Sequence, residues 1–315
     1  MTPSSPGSPR TTLVIGAGGR HGGTGSHVVR RLREQQHSVR VLVRTDDERA
    51  QHLRDLGAEI AVGDLHDLRT LDAVVRDADT VYFTYPVAPG IVQAATNLAA
   101  ALRRAGTAPR LVVMSMAVAA ADNPSGLGRA QWAAEEVLSW AGLEPTVLRF
   151  AALFYENITL LHAEAIRRTG AFANSFGAGV VPWISGRDAA DLAVTALTDL
   201  DRYPRGSTHY PQGVTVHSHA DIATLISAET GTPVRFGHIP AERWQRELEE
   251  LAHHDPAINI GMAQHISTIG AGFSRFPALP PIDTTALTEA ISRKPQSFAE
   301  YLHENRDHFV ATSAR

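Results

Sequence analysis

A dense run of glycines is the first place where this sequence carries chemistry. Gly16-Ala17-Gly18-Gly19-Arg20-His21-Gly22-Gly23-Thr24-Gly25-Ser26 follows directly on an apolar run at residues 12–15. Glycines permit a tight turn with positive φ and let backbone amides approach an anion closely. A helix beginning at the end of the run offers free N–H groups and a partial positive charge to a diphosphate. The position between a strand and a helix is the context that such a loop requires. No Gly-Lys-Ser/Thr follows, so a P-loop is excluded.

Two further positions extend this reading. The second apolar run ends in Val43-Arg44, where a dinucleotide site preferring NAD places an acidic residue on the ribose hydroxyls. Arg44 suits a 2′-phosphate instead, with Asp46 and Asp47 close enough to blunt the preference, and a solvated surface arginine is the alternative. The third run ends in Gly63-Asp64-Leu65. Asp64 is expected to accept from an adenine amino group while Leu65 packs on the ring. Alternatively, Asp64 or Asp67 caps a helix through Leu68, Leu71 and Val74.

Other chemistries are poorly supplied. Cysteine is absent, which removes thiolate nucleophiles and Cys-ligated metals. Lys294 is the only lysine; arginine supplies the other 28 of the 29 basic residues. The 15 histidines include His217, His219, His253 and His254, but none stands in a helix-spaced His-x-x-x-His with a carboxylate, so no metal is expected. No Gly-x-Ser-x-Gly hydrolase elbow occurs.

The elements that must position these residues alternate regularly. Strands are predicted at residues 12–15, 39–43, 59–62, 80–83 and 111–114, with a sixth starting at 146–148. Helices fall at 26–36, 47–56, 91–105 and 129–140. This rhythm predicts an α/β doubly wound parallel sheet of the Rossmann type, with ligands at the carboxyl ends of the strands. After Phe150 the rhythm loosens into helices at 188–200, 219–230, 242–252, 285–291 and 297–305, a short strand at 208–210 and an extended loop at 271–281. The organisation expected is a disordered arm over 1–10, a dinucleotide-binding domain over 11–150, and a smaller mixed α/β cap over 151–315 that shares its core.

With 315 residues, 43% hydrophobic and 20% charged, the chain has the composition of a globular protein. A net charge of −4 and the lack of a helix-turn-helix signal argue against direct nucleic-acid binding. The N-terminus lacks the apolar core of a signal peptide, and no run of 18 apolar residues suggests a membrane span. A cytoplasmic location is the expectation.

The glycine loop, Arg44 and Gly63-Asp64-Leu65, in this order, resemble the NmrA-like branch of the atypical short-chain dehydrogenase/reductase superfamily. The likeness continues through Arg110-Leu111-Val112-Val113-Met114-Ser115, Ala134-Glu135-Glu136-Val137-Leu138 and Thr146-Val147-Leu148-Arg149-Phe150. Phe154-Tyr155-Glu156-Asn157 resembles the family's Phe-x-Glu-Asn segment. Gly186-Arg187-Asp188-Ala189-Ala190, Pro295-Gln296-Ser297-Phe298 and Glu304-Asn305-Arg306 resemble its later motifs. The match spans residues 11 to 310.

The resemblance implies NADP(H) as cofactor, held by Gly16, Gly18, Gly19, Arg20, His21, Gly22, Gly25, Arg44, Asp64 and Leu65, with Tyr85 and Ser115 at the ends of later strands. Phe150, Phe154 and Tyr155 are expected to wall a substrate pocket, with core packing as the alternative for the two phenylalanines. Two departures stand out. The loop is about three residues longer than the family's Gly-x-x-Gly-x-x-Gly. The Tyr-x-x-x-Lys pair common in short-chain dehydrogenases is missing: Leu127 and Gln131 occupy the equivalent positions, and Lys294 has Ala290 four residues before it. The chemistry that remains is hydride transfer to a quinone or similar conjugated apolar acceptor that needs little acid help. Tyr85 is a candidate proton donor and Gln131 a contact to ribose or substrate. The competing reading is a non-catalytic NADP(H) sensor acting through a partner protein, with a homodimer left open.

Overall fold

The computed structural model describes residues 11–18 and 23–310; the arm expected at 1–10 lies outside the described residues. The first half runs β1 (Thr11–Ile15), α1 (Thr24–Glu34), β2 (Ser38–Val43), α2 (Glu48–Asp55), β3 (Glu59–Val62), β4 (Thr80–Phe83), α3 (Ile91–Arg104), β5 (Arg110–Met116), α4 (Gly126–Trp140) and β6 (Thr146–Phe150). The second half runs β7 (Leu153–Phe154), α5 (Glu156–Thr169), β8 (Ala171–Asn174), β9 (Val180–Ile184), α6 (Gly186–Thr198), β10 (Thr208–His209), β11 (Thr215–Ser218), α7 (His219–Thr230), β12 (Arg235–His238), α8 (Ala241–Ala252), α9 (Ile260–Phe273), α10 (Thr285–Ile291) and α11 (Phe298–Glu304).

Alternation along the apolar strands builds two cores at once. Val14, Val41, Tyr82, Val112 and Leu148 point to one face of the sheet, where α1, α2 and α6 cover them. Leu13, Ile15, Val81, Phe83, Leu111 and Val113 point to the other, under α3 and α4. Strands buried on both faces read as continuous apolar runs because period-2 side chains then all meet protein. The result is a seven-stranded parallel sheet in the order β10-β6-β5-β4-β1-β2-β3. This is the doubly wound sheet that the sequence predicts. Its order reverses between β1 and β4, and such a switch point opens a crevice at the strand ends.

The segment after Phe150 does not form a separate body. β10 joins the sheet beside β6, and α6 lies against α1 through Ala189, Ala190, Ala193 and Ala196, all fully buried. Small side chains there let two helix backbones approach the same sheet face. Buried Asp191 of α6 ties the layers together: it accepts from His27 Nε2 (3.2 Å), Arg31 Nε (2.9 Å) and Arg293 Nε (2.9 Å). The remaining elements form a cap around Trp183, Phe176, Tyr155, Phe298 and Trp244, with a three-stranded sheet (β11-β9-β7) and a two-stranded one (β12-β8).

Three local expectations are corrected. No helix runs through Leu68, Leu71 and Val74; only a 3-10 turn at Leu68–Thr70 forms, capped by Asp67, whose carboxylate accepts from Arg69 N. Residues 271–273 are the last turn of α9, not loop, because Ile266 and Gly270 of that helix pack into the cap. The expected helix at 188–200 starts earlier, at Gly186, where Ser185 caps it by accepting from Asp188 N (3.0 Å). Among the described residues no helix is long and apolar enough to cross a membrane.

Burial of three histidines sets an acid limit on stability. His162 is pushed down to about 3 and His265 to about 4 by burial, and His219 falls well below the usual range through burial and its neighbour His162. The unfolded chain binds protons near pH 6.5 that these folded rings refuse. Stability is therefore intact above that pH and falls below it by about 1.4 kcal/mol per pH unit for each ring. Glu156 works in the opposite sense: burial raises its carboxyl to about 7, so the folded form holds a proton that the unfolded form releases above its usual value of 4.5. Net uptake on unfolding is about two protons among these four groups. The urea midpoint is expected to be flat near pH 7.5 and to drop steeply between about pH 6.5 and 4.5 at constant slope m. A midpoint independent of pH across that window would show that the rings reach solvent.

Candidate dinucleotide crevice and acceptor site

Two glycines fix the shape of the crevice at the switch point. Gly16, directly after β1, has φ 91°, and a Cβ there would lie 2.5 Å from Thr84 at the end of β4. Gly25 is the second residue of α1, and a Cβ on it would meet Ala17 Cα at 2.5 Å and the Gly16 carbonyl oxygen at 2.8 Å. Only glycine lets the helix start this close to the strand end. Gly18 has nothing within 4 Å of its would-be Cβ, so no steric need explains it. Gly19, Arg20, His21 and Gly22 lie outside the described residues.

The start of α1 is left open for an anion. Its N-cap, Gly23, supplies no side chain, and its first turn holds no acidic residue. Among the described residues, no side chain caps the first amides or the positive end of the helix dipole. Beside it, a cleft of about 290 Å³ runs between Ala17, Gly18 and Ser26 on one side and Arg49 and His52 of α2 on the other.

Arg44 stands exposed at the end of β2 with no partner among the described residues. The two carboxylates nearby are spoken for. Asp46 pairs with Arg54, and Asp47 pairs with Arg49 (2.6 Å) while capping α2 through Arg49 N and Ala50 N. Both carboxyls are held below the usual range, first of all by these arginine hydrogen bonds. Neither competes for Arg44. Arg49, which sequence reasoning passed over, lies near the glycine turn, with Nη1 3.5 Å from the Gly18 carbonyl.

Asp64 and Leu65 line the loop after β3. One Asp64 carboxylate oxygen accepts from His66 N (2.9 Å) and holds the turn, while Leu65 is half-buried against the α3 side of the core. Tyr85, after β4, reaches across to this loop. Its hydroxyl is 2.7 Å from His66 Nε2 and 3.3 Å from the Pro89 carbonyl. Burial raises the Tyr85 phenol, nearby Arg44 opposes the shift, and Asp64 adds to it. Tyr85 thus keeps company with Arg44 and Asp64, and its hydroxyl is within hydrogen-bond distance of His66. His66 was not singled out from the sequence, where it is one of 15 histidines.

The ends of β5 and β6 carry a closed polar network. The Ser115 hydroxyl donates to Glu135 of α4, and Glu135 in turn takes Arg149 Nη2 at 2.6 Å and Nε at 2.9 Å. Arg149 also donates to the Tyr210 hydroxyl (2.9 Å). Ser115 therefore has its proton engaged. One turn before Glu135, Gln131 is 6% exposed, and its Nε2 has no hydrogen-bond partner among the described residues. An unpaired buried amide is expensive, and its presence calls for a ligand or a water.

The three aromatics at and beyond the end of β6 separate. Phe150 is buried in the core on the α1 side, 5.9 Å from the half-buried ring of Phe154. Tyr155 is fully buried in the cap core, its ring 4.7 Å from Phe298 and its hydroxyl donating to the Gln296 carbonyl (3.0 Å). Tyr155 is thus a packing residue, and the expectation of a pocket wall is corrected. Above these strand ends α9 is strapped down: Asn259 Nδ2 donates to the Val87 carbonyl (2.9 Å), and His265 Nδ1 lies 2.7 Å from the Ser125 hydroxyl. Among the described residues no group of three or more potential ligands is placed to hold a metal.

Comparison with known proteins follows the same lines. The chain is 32% identical over 301 residues to an NAD(P)H azoreductase of Xenophilus azovorans, covering 92% of this chain and 96% of that one. It is 26% identical over 301 residues to a (4-alkanoyl-5-oxo-2,5-dihydrofuran-3-yl)methyl phosphate reductase of Streptomyces griseus, covering 95% and 99%. Its fold matches the crystal structure of an NADPH-dependent quinone oxidoreductase of Escherichia coli in complex with NADPH, with a TM-score of 0.78, 19% identity, and 94% and 99% of the two chains covered. The sequence profile of the NmrA-like family matches residues 8–302, nearly the whole chain, and on that match the protein belongs to the NmrA-like family.

Proposed function

We propose that this protein is an NADPH-dependent reductase of quinones, azo compounds or similar conjugated acceptors, working without an acid–base pair. The observation that carries this reading is Gln131: a buried carboxamide with an unpaired Nε2 at the position of the lysine in Tyr-x-x-x-Lys. The relationship to an azoreductase over nearly the full length supports it. The residues present fit a dinucleotide. Gly16 and Gly25 leave a cradle that any Cβ would fill, the open start of α1 suits the diphosphate, Arg44 suits a 2′-phosphate, and Asp64 with Leu65 suits adenine. When bound, NADPH supplies a hydride.

The chain's own part is to bind, orient and keep donors in place. Tyr85 and His66, linked across the crevice, hold the adenosine end. Gln131 Nε2 donates to the nicotinamide ribose or to the acceptor atom that gains charge. Ser115 stays fixed by Glu135, so no side chain among them releases a proton. Water protonates the product anion, which suits acceptors whose reduced form is a stabilised anion. Positioning then carries most of the rate enhancement. Steady oxidation of NADPH by a panel of quinones and azo dyes tests this directly. Binding of NADPH with no turnover of any of them would favour the sensor reading.

Two substitutions sharpen the test. Gln131→Leu removes an unsatisfied buried amide, so the cofactor-free protein is expected to gain about 1 kcal/mol of stability while kcat/KM falls roughly tenfold. A loss of both would make Gln131 an ordinary core residue. Arg44→Glu is expected to weaken NADPH binding by roughly tenfold or more and to leave NADH nearly unaffected. An unchanged ratio of the two dissociation constants would make Arg44 a surface residue only.

A further inference from the structure

The start of α4 is poorly built to hold its own place. Its first three residues are Gly126, Leu127 and Gly128, and two glycines in one turn forfeit much of the helix propensity that a first turn needs. No acidic residue stands in that turn to meet the helix dipole. Gly128 is required where it is, because a Cβ on it would lie 2.8 Å from Asn123 Oδ1. The segment's own cap is Ser125, a fully buried residue whose hydroxyl oxygen accepts from Gly128 N (3.3 Å).

The rest of the hold comes from α9, 138 and 140 residues further along the chain. Gln264 Oε1 accepts from Gly126 N (3.2 Å), the first amide of α4, and Gln264 Nε2 donates to the Pro124 carbonyl (3.4 Å). The next residue, His265, brings Nδ1 to 2.7 Å from Ser125 Oγ, and its ring is 8% exposed. Ser125 has one hydrogen, and its oxygen already accepts from Gly128 N. Its hydrogen therefore goes to Nδ1, which places the imidazole proton on Nε2. Burial pushes this ring down to about 4, so it is neutral and able to accept near pH 7. α9 is itself anchored at both ends. Asn259 donates to the Val87 carbonyl (2.9 Å), and Ser175 Oγ donates to the Ser267 carbonyl (2.9 Å) beside Gly270, where a Cβ would lie 2.3 Å from that oxygen.

Gln131 stands six residues after Ser125 on the same helix, about 9 Å along its axis. Beyond it, Glu135 is pinned by Ser115 and Arg149. The unpaired Nε2 of Gln131 thus lies between two anchors, and the one on its N-terminal side is supplied by the cap. We propose that Gln264 and His265 are positioning residues: they hold the glycine-rich first turn of α4 and so set the place of the Gln131 carboxamide, without touching either reactant. The inference rests on the reductase reading for the task of Gln131 and adds to it the residues of the cap on which that task depends.

Steady-state kinetics with NADPH and a neutral quinone, on the full-length protein, test the claim. His265→Leu removes the acceptor for Ser125 and is expected to lower kcat roughly tenfold. The NADPH dissociation constant, set at Gly16, Gly25 and Arg44, should stay within about twofold. His265→Asn puts an oxygen near the place of Nδ1 and should restore most of the loss. Gln264→Met, at a half-buried side chain, should lower kcat a few-fold, whereas Gln264→Glu keeps the acceptor for Gly126 N and should not. Both residues act through Gln131, so neither His265→Leu nor Gln264→Met should cost anything further in a Gln131→Leu background. The Gln264 pair keeps this comparison open if His265→Leu does not fold. Additive losses, or equal losses in the disruptive and the conservative variants, would overturn the proposal and make these residues ordinary packing. Amide hydrogen exchange over residues 126–131 reads the hold with no substrate present. It should quicken roughly tenfold in His265→Leu and Gln264→Met and stay near the unsubstituted level in His265→Asn and Gln264→Glu. That pattern with no turnover of any acceptor sinks the reductase reading and leaves the hold of α9 on α4 standing. Turnover by the unsubstituted protein with exchange unchanged in every variant does the reverse.

Discussion

The contact on which the rest depends is backbone against backbone: Gly25 of α1 pressed onto Ala17 and the Gly16 carbonyl, with no room for a Cβ on either glycine. It brings the first turn of α1 to the carboxyl end of β1, at the point where the strand order of the sheet reverses. Gly23 offers no side chain and the first turn carries no carboxylate, so among the described residues no side chain caps the amides there. The same contact sets the angle at which α1 leaves the sheet, and with it the faces that meet α6. His27 and Arg31, four residues apart on one side of α1, both reach Asp191. A bulkier residue at Gly25 would therefore disturb the crevice and the packing of α6 together.

Loss of the Tyr–Lys pair has a structural counterpart at the ends of β5 and β6. In a reductase with an acid, the polar groups there must be free to move a proton. Here they are consumed by one another: Ser115 by Glu135, Glu135 by Arg149, and Arg149 by Tyr210. The network has every group satisfied, which makes it rigid. Against that background the unpaired Nε2 of Gln131, one turn along the same helix, stands apart. Polar groups that bond one another in this way are little suited to acid–base work.

What the sequence made legible follows from where the signal was local. The parallel sheet was readable because its strands are apolar runs bounded by glycine and helix caps, and the fold class follows from their alternation. The glycine turn was readable for the same reason. The cap was read poorly. β7, β8, β9, β11 and β12 have between two and five residues each, too short for a period-2 pattern, and they are ordered by partners far along the chain. Helix α9 went unrecognised because Gly261, Gly270 and Gly272 lower its helix propensity, while its burial against α4 and the cap outweighs that cost. Among site residues, Arg49 and His66 left no trace, since single charged residues on helices and loops look alike until a neighbour is known.

Tyr155 shows how far an aromatic's position along the chain can mislead. It follows the sixth strand closely, where a substrate wall is expected, and the next residue begins α5. Its hydroxyl is satisfied by the Gln296 carbonyl, and its ring is enclosed by Phe298 and Tyr301, 4.7 and 5.4 Å away. The cap needs that ring, because Phe298 and Tyr301 sit on a helix of only seven residues that cannot hold its place by its own hydrogen bonds. Fixing α11 in turn fixes Gln296 and Glu304, where the Gln296 Nε2 donates to the Glu304 carboxylate (3.0 Å). A residue buried away from solvent thus orders the short helix and the polar pair beside it through its packing.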